Sequence, residues 1–206
     1  MDKEDYYIRL LDKVDYLNKR GDRLLLLLSV LISSYYLVDI EAITEISVMG
    51  ITLSNLELTK MFIPLFTAYI GLLYITLESH RDEMITVVEE LGQNIFNISG
   101  DDINNDRLQR IMRPYSLNLE LIIYSKGFSK MALILALPTL FIRFLPYLFE
   151  FYAVKYLIEN NWQGNVFSKC IIITTIWLVG IILAYQMRHI VSIFRKAKEK
   201  QVRSEE

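Results

Sequence analysis

Apolar positions along the chain gather into four blocks separated by charged stretches. Residues 24–38 form an uncharged run of 15 between Arg23 and Asp39. Residues 61–77 form a run of 17 between Lys60 and Glu78. Residues 131–149 form a run of 19 between Lys130 and Glu150, interrupted only by Arg143. Residues 170–187 form a run of 18 between Lys169 and Arg188. A helix crossing roughly 30 Å of hydrocarbon needs about 20 residues, with about 17 as the lower bound. Three blocks reach that range, and Arg23 snorkelling at one end with Ile40 at the other extends the first. A core helix of a globular protein keeps a polar stripe, which runs this long and uncharged do not allow. The pattern therefore predicts an all-α integral membrane protein with four transmembrane helices over 24–38, 61–77, 131–149 and 170–187.

The segments between the blocks carry shorter periods. In residues 1–23, Tyr7, Leu10, Leu11, Val14 and Leu17 recur at helical spacing among charged neighbours, which predicts an amphipathic helix over 3–20. An interfacial role and a docking role both fit it. In the loop 39–60, Ile46 and Val48 alternate with polar neighbours, as do Ile51 and Leu53 after Gly50. That is the pattern of a short β-hairpin, suited to sensing, to assembly or to simple connection. In the loop 78–130 a helix is expected over 78–91 and another over 107–124, around a polar stretch rich in Asn and Asp. The second helix places Leu108, Ile111, Met112 and Tyr115 on one apolar face. Such a hairpin cannot bury those faces alone, so they are the expected contact for a cytoplasmic protein partner.

Charge orients this plan. Lys and Arg number six in 1–23, six in 78–130 and six in 188–206, but one in 39–60 and two in 150–169. The positive-inside rule then places both termini and the loop 78–130 in the cytoplasm, with the loops 39–60 and 150–169 outside. The expected location is the cell inner (plasma) membrane, multi-pass, with the basic tail 188–206 inside. The whole chain, 206 residues, is 53% hydrophobic, with a net charge of −2 and one cysteine, Cys170. Those values exclude a disordered chain, a disulfide scaffold and binding to nucleic acid through bulk charge. No small-residue cleavage site follows the first block and no lipidation motif is visible, so the first helix is expected to stay.

Most tests for chemistry fail. The acidic stretch near Asp102 has Arg107 and Arg113 where a calcium loop needs glycine and glutamate. The two histidines, His80 and His189, have no ligand at metal spacing. No phosphate loop or nucleophile elbow is present. No catalytic residue, metal or cofactor is expected, and the protein is read as a non-enzyme.

The informative polar group is Arg143, the one charge inside a block, with Glu150 two turns further along the same helix face. Intramembrane charge is costly and marks either a snorkelling side chain or a gate. Pro138 and Pro146 in the same helix free carbonyls that need partners. Two small-residue pairs, Ser29 with Ser33 and Gly180 with Ala184, allow close helix approach within the chain or between copies.

In topology the chain resembles small four-span bacterial membrane proteins, including membrane subunits of phage-defence systems such as Kiwa. The resemblance implies a place in antiviral defence. Two functions are expected from these features. One is a homo-oligomeric sensor or scaffold that couples a membrane event to a cytoplasmic partner. The other is a homo-oligomeric ion channel or pore-forming effector built around Arg143.

Overall fold

The computed structural model describes residues 3–40, 46–48, 51–53, 56–96 and 129–205, with side chains at 3–40, 57–96, 141, 144–188 and 191. Four long helices dominate these residues: α1 Lys3–Asp39, α2 Leu56–Phe96, α3 Ser129–Asn161 and α4 Val166–Glu205. Between α1 and α2, strands β1 Ile46–Val48 and β2 Ile51–Leu53 pair antiparallel, with Val48 opposite Ile51 and Ile46 opposite Leu53.

Each helix has a local reason. α1 opens on Glu4 and Asp5, whose charges complement the partial positive charge of a helix N-terminus. Its buried positions are Tyr7, Val14, Leu17, Gly21, Leu28, Ile32, Tyr35 and Val38, a stripe repeating at three, four and seven residues. α2 continues through Pro64, which is fully buried and has no N–H to give the carbonyl four residues back. α4 is capped by Asn165, whose Oδ1 accepts from the backbone N–H of Ser168 at 2.9 Å and from its hydroxyl at 3.0 Å. The turn before it needs Gly164, because a Cβ there would stand 3.0 Å from the carbonyl oxygen of Asn161.

Three helices are long and apolar enough to cross a membrane among the described residues: Lys3–Asp39, Glu57–Phe96 and Val166–Arg188. The remaining apolar block, 131–149, lies in α3, largely on residues whose side chains are outside the described ones.

The chain forms two compact units. The first comprises Met1–Arg23 and Leu77–Leu145, and the second Leu24–Thr76 and Pro146–Glu206. In the first unit, Tyr7 of α1 meets Phe96 of α2 edge to face, with ring centroids 5.9 Å apart. Val14, Leu17, Met84 and Val88 are buried in this unit.

In the second unit, Met61 of α2, Leu157 of α3 and Ile171 and Ile172 of α4 form a buried core, with Phe62 and Leu65 packed against it. Outward, these helices and α1 expose Leu26, Val30, Phe66, Phe151, Ile173 and Trp177, with Phe151 at 78%. So large an apolar exterior is unfavourable in water and ordinary in lipid. The hydroxyls within these helices follow the same logic. Ser29, Ser34, Thr67, Thr174 and Thr175 each donate to the carbonyl four residues back, at 2.8–3.0 Å. No hydroxyl among those five is left seeking water.

Candidate functional site

The second unit concentrates its polar and aromatic side chains at the end where α1 and α3 finish and α2 and α4 begin. Asp39 is the last residue of α1 and Lys60 lies in the second turn of α2. Lys60 Nζ donates to Asp39 Oδ1 at 2.9 Å and stands 5.8 Å from the ring centroid of Tyr156 on α3. One ammonium therefore joins three helices, through an ion pair and a cation–π contact. The two ends of the segment carrying β1 and β2 are held together at the same point.

Next to this pair along α1 lie Tyr35 and Tyr36. Tyr35 packs edge-on against Phe149 of α3 at 5.0 Å, and Tyr36 stacks on Tyr152 at 6.5 Å. Edge-to-face geometry suits the negative face and positive rim of aromatic rings. Tyr35 is completely buried, and its hydroxyl has no hydrogen-bond partner among the described residues.

Beside Phe149, Glu150 is 5% exposed, and neither carboxyl oxygen has a hydrogen-bond partner among the described residues. Glu150, Ala153 and Leu157 follow one another at three and four residues, so they share a face of α3. All three are buried. At the far end of this part of α3, Gln186 of α4 donates to the hydroxyl of Tyr147.

The first unit holds a second polar cluster. Arg81 Nη2 donates to Glu78 Oε2 at 2.9 Å and to Asp82 Oδ1 at 3.0 Å. Both carboxylates lie on α2 with it, so the cluster neutralises a partly buried guanidinium inside one helix.

The residues singled out from sequence separate into three groups. Glu150 is described and buried. The side chain of Arg143 lies outside the described residues, as do Gly50, Leu108, Ile111, Met112 and Tyr115. Ile46, Val48, Ile51 and Leu53 are described as backbone strand only. In the small-residue pairs, Ser29 is half-buried and spends its hydroxyl on Leu25 at 3.0 Å, while Ser33 is exposed. Gly180 and Ala184 are both exposed, and a Cβ added at Gly180 would meet nothing within 4 Å. Gly71 makes the closer approach, since a Cβ there would stand 3.4 Å from Ile182 Cδ1.

Lys60, Asp39 and Tyr156 were not singled out, although opposite charges at the two limits of one loop are visible in the sequence. Among the described residues no cluster of His, Cys, Asp and Glu is placed to hold a metal ion. Comparison with protein-family models, with curated proteins and with solved structures finds no match.

Proposed function

We propose that the chain is a multi-pass protein of the cell inner membrane with both termini cytoplasmic, and that α3 supplies a fourth crossing. In this reading it is a non-enzymatic, homo-oligomeric sensor or scaffold. It receives a membrane or envelope event through the second unit and passes it to a cytoplasmic protein. Antiviral defence is the setting that the topological resemblance suggests.

The observation that carries the membrane reading is the exposed apolar surface of the second unit, Leu26, Phe66, Phe151, Ile173 and Trp177 among it. The basic asymmetry between alternate segments supports the orientation. The exposed small residues Gly180 and Ala184 support contact between copies, because close helix approach in lipid relies on small side chains.

The test has two parts. The chain is expected in the membrane fraction after an alkaline wash, and release into the soluble fraction overturns the membrane reading. A tagged chain purified in detergent is expected to bring down a second copy of itself and a soluble protein. Recovery of itself alone overturns the coupling role.

A further inference from the structure

The buried carboxyl of Glu150 has no assigned task. It is 5% exposed, with neither oxygen hydrogen-bonded among the described residues. Its depth follows from register. Met61, Leu157, Ile171 and Ile172 pack together close to the end where α2 and α4 begin and α3 finishes. Glu150 lies seven residues from Leu157 toward the opposite end, about 10 Å along α3 at 1.5 Å per residue. Seven residues inward from Met61 is Ala68, and seven inward from Ile171 is Leu178, both buried. On α2 and α4 the layer that receives the carboxyl is therefore apolar but for Thr67 and Thr175, whose buried hydroxyls donate to the carbonyls of Ile63 and Ile171.

Among the described side chains no cation is positioned in that layer; the side chain of Arg143, two turns back on the same face of α3, lies outside them. α1 has Tyr35 and Tyr36 as its only titratable groups between Arg23 and Asp39. α2 has Tyr69 and Tyr74 between Lys60 and Glu78. α4 has Cys170 and Tyr185 between Lys169 and Arg188, both exposed. On α3 itself, Tyr147 accepts from Gln186, and Tyr152 and Tyr156 belong to the aromatic end with Lys155 and Glu159 beyond. Asp39 and Lys60 are paired with each other at 2.9 Å. An ionised carboxylate with no counter-charge and no donor is not tolerated at such a place, and an ionisable group at membrane depth is characteristically functional.

We propose that Glu150 is a proton-binding site within the membrane-crossing unit, held as the neutral acid and exchanging its proton when the packing around Ala68 and Leu178 opens. The ligand is a proton. This deepens the membrane reading and gives the second unit a group whose charge changes with the state of its packing.

The test is labelling of the purified full chain in detergent with dicyclohexylcarbodiimide, an apolar reagent that condenses with protonated carboxyls, read by peptide mass spectrometry. An adduct is expected on the peptide carrying Glu150 and not on exposed Glu159. It should persist at about pH 8, where a solvated carboxyl of ordinary pKa about 4.3 is ionised. Glu150→Gln should abolish it. Absence of an adduct, or equal labelling of exposed carboxyls, overturns the proposal. So does protection by sodium but not by potassium, which would make the site one for a metal cation. If Glu150→Gln does not fold, the pH course in the unsubstituted chain decides. Fractionation of the chain tests the membrane reading separately, since labelling in detergent does not depend on where the chain resides.

Discussion

Lys60 and Asp39, 21 residues apart, meet at 2.9 Å where α1 ends and α2 begins. The pair is partly buried, with side-chain exposures of 19% and 31%. Because Lys60 also stands over Tyr156, this contact fastens three helices at one end of the second unit.

Asp39→Asn and Lys60→Gln are each expected to lower stability by about 1 kcal/mol, the order for a partly exposed hydrogen-bonded ion pair after allowance for solvent screening. The double variant should cost less than the sum of the two. Thermal unfolding in detergent measures this. Strict additivity would show that the two side chains do not act together.

The ring pair of Tyr35 and Phe149 separates packing from hydrogen bonding. Phe149→Ala should cost about 3 kcal/mol, as expected when a buried ring is removed and its site collapses incompletely. Tyr35→Phe deletes a buried hydroxyl that has no hydrogen-bond partner among the described residues. It is expected to be neutral or to stabilise the chain by about 1 kcal/mol. A large loss for Tyr35→Phe in the same unfolding experiment would mean that the hydroxyl is satisfied in the membrane.

The glycines of α2 and α4 have opposite expectations. Gly71→Leu forces extra volume against Ile182 and should destabilise by about 1–3 kcal/mol. Gly180→Leu meets open space, so the melting temperature of the single chain should hold or rise. If Gly180 lies between copies, the same substitution should shift the detergent-solubilised protein toward monomer in light scattering. An unchanged assembly would remove Gly180 from any interface.

Topology can be read with one cysteine. In a Cys170→Ala background, Gln163→Cys in the turn before α4 should react with a membrane-impermeant maleimide added to intact cells. His80→Cys should react only after the cells are opened. The reverse pattern would invert the proposed orientation.

The helical class and the membrane-compatible length of three helices were legible because long uncharged runs leave few alternatives. Of the charges bounding those runs, Asp39 ends a helix, but Arg23, Lys60, Glu78, Lys130, Glu150, Lys169 and Arg188 lie inside one. α1 continues from Lys3 through Arg20 and Arg23 to Asp39, because isolated charges on an exposed face leave the backbone ladder intact. The burial of Glu150 depends on the same continuation of a helix past a charge. Glu150 follows the last apolar residue of the block 131–149 and so reads as the start of an external loop. In the structure α3 runs on to Asn161, and the alignment of Leu157 with Met61 and Ile171 draws Glu150 inward. Such register depends on contacts between helices far apart in sequence, and no single helix encodes it. The pairing of Lys60 with Asp39 is a closure of the same kind, visible as two opposite charges but not as a distance.

The contact of Lys60 with Asp39 closes the segment that carries β1 and β2 into a ring whose mouth is fixed at 2.9 Å. The entropy of closing such a ring grows only slowly with its length. Residues added to that segment should therefore cost the helices of the second unit little, as long as both charges that close the ring are kept.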